Sequence, residues 1–202
     1  LYASVAAIYQ PDAKRLLAYS SLAQIGYMVL GIGLGSALGL TATIVHVFNH
    51  ALMKGALFMA LGALVYRTGS TRMNQIQGLG RQMPWTFAAI FIAGLSLIGV
   101  PGTAGFISKW YLVLAAIEQQ SWLIAIIILT GSLLAVAYMW NLIETLFFQP
   151  MTPRAEPVRE APMSMLVPMW LLVIANIWFG LDTGLTVGIA ETVVQLLGVN
   201  GQ

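Results

Sequence analysis

From Leu16 to about Gly35 the chain runs without a single charged side chain. About 20 residues in a helix rise roughly 30 Å, the thickness of a bilayer's hydrocarbon core. Further long apolar runs follow. The 202 residues include only nine Lys/Arg and seven Asp/Glu, 8% charged against 59% hydrophobic. A soluble domain carries about a quarter charged residues. A water-facing surface cannot be built from so few, so the solvent is lipid. Cysteine is absent, which excludes disulfides, cysteine-ligated zinc, iron–sulfur clusters and thiol catalysis. A net charge of +2, with the basic residues scattered, provides no nucleic-acid surface.

Residues 1–10 begin apolar and stop at Gln10-Pro11-Asp12, too short a stretch to cross a bilayer. They read as the tail of a transmembrane helix whose first part lies upstream. The next runs are Leu16 to about Gly35 and Ala37 to Tyr66. A polar segment from Arg67 to Met83 follows, and Pro84 opens the next run, as proline often opens a helix. That run, Trp85 to about Ile117, is interrupted by Gly99-Val100-Pro101-Gly102. Trp122 to Phe148 is a further span. The stretch 149–163 is rich in proline and charge and reads as a loop. Residues 164–202 supply one more span, ending near Gly180, and a weak interfacial helix from Thr183 to Leu197. The expectation is an all-α, polytopic bundle of about five full spans with one broken helix.

If the spans alternate sides, one side receives Lys14, Arg15, Arg67, Arg72, Arg81, Arg154 and Arg159. The other receives Glu118, Asp182 and Glu191 and no Lys or Arg. Such asymmetry places the basic loops in the cytoplasm. It also supports the number of spans, because one missed helix would scramble the split.

Lys54, Lys109, His46 and His50 are left at membrane depth. Isolated ionisable groups are costly there and usually mark an ion path. His46, His50 and Lys54 recur every four residues, drift only about 40° per step around a helix, and climb about 12 Å. Histidine titrates near neutral pH, and a desolvated lysine can exchange protons. Three such groups in file can relay a proton. The bland alternative is that the histidines bond local backbone and Lys54 pairs with a carboxylate. Zinc is a weaker rival: His at i and i+4 can hold it, but the glutamate of an HExxH motif is missing, so no metal and no cofactor is expected.

Gly99, Pro101, Gly102 and Gly105 form the second signal. Proline removes a backbone donor and the glycines let the helix unwind, as at the interrupted helices of ion transporters. Lys109 lies about two turns past this hinge. The plain alternative is a kink with Lys109 snorkelling outwards, but Glu118 is nine residues further on, about 13 Å by rise, longer than a lysine comfortably reaches. A third candidate is Lys14, Ser21 and Gln24 at the cytoplasmic end of the first full span, where protons could enter; the alternative there is an interfacial anchor. Glu144, near the end of its span, reads as an interfacial carboxylate.

The order Asp12-Ala13-Lys14-Arg15-Leu16-Leu17-Ala18-Tyr19-Ser20-Ser21, then His46-x-x-Asn49-His50-x-x-x-Lys54-x-x-x-Phe58, then Gly102-x-x-Gly105-Phe106-x-x-Lys109, resembles the antiporter-like membrane subunits. These include Mrp sodium/proton antiporter subunits and the proton-pumping subunits of respiratory complex I. Gly105 to Tyr111 and the Asn before His50 look most like the D-type subunit of Mrp antiporters. The resemblance implies that residues 11–148 are the proton-channel helices of the second of two inverted repeats, with His46, His50, Lys54 and Lys109 as the relay and Lys14 as the basic residue opening its helix. It further implies an ion-transporter subunit rather than an enzyme, moving protons in exchange for Na⁺ or K⁺. Its partners would be other subunits of a membrane complex and the lipid bilayer, in a bacterial inner membrane. The alternative is a proton-pumping subunit of an NADH-quinone oxidoreductase or membrane hydrogenase.

Overall fold

A computed structural model describes residues 1–151 and 157–199. Eight α-helices follow in order among them: α1 (Tyr2–Ile8), α2 (Ala13–Gly33), α3 (Ala37–Thr68), α4 (Pro84–Ile98), α5 (Ala104–Glu118), α6 (Trp122–Ile143), α7 (Met163–Leu181) and α8 (Gly184–Leu196). Two short 3-10 turns, Met73–Gln75 and Leu79–Arg81, occupy the polar segment before α4, and a π-helical turn, Glu144–Phe148, extends α6. By length and composition α2, α3, α6 with its extension, and α7 can each cross a membrane. α4 and α5, at 15 residues each, rise only about 22 Å. Together they form the broken span expected around Pro101. This is the all-α bundle that the apolar runs predict.

α3 is the axis. Its 32 residues rise about 48 Å, and α2, α4, α5, α7 and α8 all pack on it. Ser36 caps its start by accepting from Gly39 N–H, and Gly69, at φ +71°, ends it in the left-handed conformation that favours glycine. α7 runs antiparallel along α3. Met165 lies over Gly62, Leu172 over Gly55, and the Phe179 ring 5.0 Å from that of Phe48. These pairs step by seven residues, two turns, on both helices. α8 continues beside the first half of α3, with Val187 and Ala190 clustered with Val45. Leu123, Ile126, Leu129 and Leu133 on α6 point outwards and exposed, as lipid-facing residues do.

Apart from Lys54 and Lys109, the described basic residues lie in the segments at one end. Asp12 pairs with Arg72 through a backbone bridge, and the Arg67 guanidinium donates from Nε to Glu160 O at 3.0 Å. The Glu160 carboxylate accepts from Trp85 N–H at 2.8 Å and from the Thr86 hydroxyl at 2.6 Å. It thereby caps α4, whose own preceding residue, Met83, provides no side-chain cap. Glu118 ends α5 at the opposite end, where Gln119 Nε2 donates to Leu34 O. Arg154 and part of the predicted 149–163 loop lie outside the described residues. Glu144 is exposed.

Asp12 opens α2. Its Oδ1 accepts from Lys14 and Arg15 N–H at 3.0 and 3.1 Å, and its Oδ2 from the Thr71 hydroxyl at 2.6 Å. Partial burial raises the Asp12 pKa, but the Thr71 and backbone hydrogen bonds and the charge of Arg15 outweigh it, holding the carboxyl below its usual value. The cap therefore stabilises the fold above the ordinary carboxylate pKa, and its contribution fades as pH falls through the lowered folded value. Asp12→Ala should cost about 1 kcal/mol. Amide exchange of a peptide spanning Ala13–Leu17 should then quicken roughly fivefold. Unchanged exchange would show that the cap is idle.

Candidate ion-relay site

Lys54 sits in the middle of α3, 5% exposed. α2 passes close beside it, because its buried face carries Leu16, Leu17, Ser20, Gln24 and Tyr27 at helical spacing. The Lys54 ammonium donates to Leu17 O at 2.9 Å and, in a short contact, to Ser20 Oγ. It also lies 6.0 Å from the Phe58 ring centre, close enough for a weak cation–π attraction.

One and two turns before Lys54 on α3, the His50 and His46 rings stack, 6.3 Å apart and tilted by 22°. His46 Nδ1 shares a 2.7 Å hydrogen bond with Ser108 Oγ on α5. The Tyr27 ring packs edge-on against His46 at 5.8 Å. Nε2 of each histidine is buried with no protein partner among the described residues. Each histidine thus keeps one ring nitrogen uncommitted, which proton exchange requires and a purely structural histidine does not. Asn49, between them, donates from Nδ2 to Ala104 O at 2.6 Å and so ties α3 to the first residue of α5.

Lys109 closes the other end. α4 stops at Gly99, whose φ of +96° lets Val100 N–H reach back to Leu95 O. Thr103 then turns the chain by donating its hydroxyl to Val100 O at 2.6 Å. The break frees the last carbonyls of α4, and Lys109 folds back onto them, donating to Leu97 O at 2.8 Å and Ile98 O at 2.9 Å. These carbonyls carry the partial negative charge of a helix C-terminus. Lys109 is 5% exposed and points to the hinge, not outwards. Its ammonium lies 5.2 Å from the Tyr27 ring centre, so Tyr27 stands between Lys109 and His46. Among the described residues no carboxylate lies against either lysine.

The structure thus brings His46, His50, Lys54 and Lys109 into one file, buried except at His50, which is half-buried, with the Gly99–Gly105 hinge beside Lys109. Lys14, Ser21 and Gln24 are arranged differently. Lys14 is exposed, Ser21 donates its hydroxyl to Leu17 O at 3.1 Å, and Gln24 alone faces the interior, with Oε1 unpaired. A cavity of about 860 Å³ opens at this basic end, and Arg15 and Arg72 line it rather than Lys14. Ser20, Tyr27 and Ser108 are contacts that spacing alone does not single out. Their signal is their place on the buried stripes of α2 and α5.

Residues 1–135 match the model of the family described as "NADH:quinone oxidoreductase/Mrp antiporter, TM". The chain belongs to that family. The three motifs that carry the resemblance all fall within the matched segment. Among similar proteins, NADH-quinone oxidoreductase subunit N of Desulforudis audaxviator is 41% identical over 90% of this chain and 38% of its own length. The D-type subunit of the Na(+)/H(+) antiporter of Alkalihalophilus pseudofirmus is 33% identical over 86% of this chain and 35% of its own length. The chain therefore spans little more than a third of either relative. A chain in the solved Mrp complex from Dietzia sp. DQ12-45-1b superposes with a TM-score of 0.90 at 24% identity, over 96% of this chain and 44% of that one. That likeness establishes the fold: this is a multi-pass membrane chain built like the antiporter and complex I membrane subunits. In this family member the matched segment holds the whole lysine–histidine file, whereas α7 and α8 lie beyond it.

Proposed function

We propose that this chain is the proton-translocating part of a monovalent cation/proton antiporter, with the proton passing among Lys109, His46, His50 and Lys54. One observation carries the reading: two buried ammonium groups, bonded to carbonyls and a hydroxyl with no carboxylate beside them among the described residues, stand at the two ends of a stacked histidine pair. A carboxylate would fix each charge in place, whereas neutral acceptors leave the proton free to leave. Protons enter from the basic end, which faces the cytoplasm of a bacterial cell, and Gln24 is the inward-facing polar group on that route. The hinge at Gly99, Pro101, Gly102 and Gly105 supplies the carbonyls that hold Lys109. Residues 164–202 add a further helix and its terminal segment. The chain works within a multi-subunit membrane complex, needs no cofactor or metal of its own, and is a transporter subunit rather than an enzyme. Likeness to the D-type subunit of a Na(+)/H(+) antiporter supports coupling to Na⁺ or K⁺.

A second reading is redox-driven pumping by the same file. The higher identity to an NADH-quinone oxidoreductase subunit favours it. Everted membrane vesicles carrying the full protein in its complex separate the two. Lys54→Ala should lower proton movement at least about tenfold. If the lost movement is the part driven by Na⁺ or K⁺, the antiporter reading stands. If it is the part driven by a reduced electron donor, the redox reading replaces it. Unchanged movement in both assays, with normal assembly, overturns the relay.

A further inference from the structure

Asn176 lies on α7, outside the segment matched by the family. It is 0% exposed, yet neither its Nδ2 nor its Oδ1 has a protein hydrogen-bond partner among the described residues. Such a group loses its water on burial and gains nothing from the protein, so a buried amide of this kind is rare. The rest of its stripe on α7, Leu166, Met169, Val173 and Gly180, is apolar, and an aliphatic side chain would fill the same place without that loss.

Its surroundings suggest a use. Gly180, one turn further along the stripe, is pressed against the start of α5: a Cβ there would lie 2.3 Å from Thr103 C and 2.7 Å from Ala104 N. Asn49 reaches the same place from α3 through its bond to Ala104 O, and its Oδ1 is buried and unpaired. His50 Nε2 is a further buried, unpaired atom. The α3–α7 register, with Leu172 at Gly55 and Phe179 at Phe48, sets Asn176 level with Ala51. Asn176 therefore lies at the depth of Asn49 and His50. One unpaired amide donor and two unpaired amide acceptors therefore lie at one depth, on facing helices, with His50 Nε2.

We propose that Asn176 binds an internal water that bridges it to Asn49 beside His50, making α7 a wall of the proton file. The inference rests on the relay reading above. Water fits this set because it both donates and accepts, and internal waters make about three hydrogen bonds to otherwise unpaired groups. A bound cation could take the two amide oxygens but would leave the Asn176 Nδ2 donor unpaired. Asn176 is thus a positioning residue for the water, not a proton carrier.

The test uses the full protein in its complex. Asn176→Leu keeps the branched shape, at a somewhat larger volume, and removes the polarity. It should assemble normally, yet lower proton movement about fivefold, and Asn176→Ser should restore movement to within about twofold of the parent. A density map of the intact complex that resolves internal waters should show one within hydrogen-bond distance of Asn176 and Asn49, and none there in Asn176→Leu. Parental rates in Asn176→Leu, no rescue by Asn176→Ser, or no water at Asn176 in the parent would each overturn the proposal. If Lys54→Ala leaves proton movement intact, the relay reading falls by itself, and the density still decides whether the water is there.

Discussion

Lys109→Ala is expected to stop proton movement and to loosen the hinge. The ammonium donates to Leu97 O and Ile98 O at 2.8 and 2.9 Å, and hydrogen bonds from a charged donor are worth about 1.5–3 kcal/mol each. Burying the charge offsets part of that, so the net loss should be about 2–4 kcal/mol. The lysine stem matters as well, because it lies along the turn at Gly99, with Cδ 3.0 Å from where a Cβ there would stand. Alanine removes both the stem and the ammonium, whereas Lys109→Met keeps most of the stem and removes the ammonium with its two hydrogen bonds. Both variants should lower proton movement in everted vesicles by at least about tenfold, and Lys109→Met should regain only that part of the melting temperature that the packed stem supplies. A Lys109→Met protein that moves protons at the parental rate would show that Lys109 is a structural strut.

The expected loss follows from where the lysine points, and that is the part of the site least legible in the sequence. The spans are readable because an apolar run of about 20 residues fits little besides a membrane crossing. The hinge is readable because Gly99-Val100-Pro101-Gly102 carries both a missing donor and permissive backbone. The file along α3 is readable because His46, His50 and Lys54 share a face by spacing alone. What Lys54 and Lys109 bond to is not readable, since their acceptors include Leu17 O, Leu97 O and Ile98 O, and every residue has a carbonyl. The choice between Ser20 and Ser21 turns on one residue, about 100° around α2. Lys54 meets Ser20, while Ser21 bonds within its own helix. Glu160 capping α4 joins residues more than 70 positions apart, a contact that no local signal announces. Asn176 escapes notice because one polar residue in an apolar run carries no periodicity of its own.

Gly105→Ala is expected to be the most damaging of the glycine substitutions at the hinge, although Gly105 has ordinary backbone angles. A Cβ there would stand 1.9 Å from Ser96 O and 2.9 Å from Ser96 Oγ. The Ser96 hydroxyl also accepts Gly105 N–H at 3.0 Å. The first turn of α5 therefore crosses directly on the last full turn of α4, and backbone cannot rotate away as a side chain could. Ordinary contact requires the helices to part by about 1 Å or more. Overpacking of this kind costs about 3 kcal/mol or more when backbone must shift. The shift would also pull Lys109 from Leu97 O and Asn49 from Ala104 O, so the relay suffers with the fold. Two other glycines isolate the cause. Gly102 has φ +88° and open space around its Cβ direction, so Gly102→Ala carries only the left-handed strain, about 1–2 kcal/mol. Gly26 has open space and a helical backbone, so Gly26→Ala should be neutral or slightly stabilising. Assembled protein and melting temperature in the intact complex should fall in the order Gly26→Ala, Gly102→Ala, Gly105→Ala. If Gly102→Ala proves the worst, backbone strain at the turn, and not the α4–α5 crossing, is what holds the hinge.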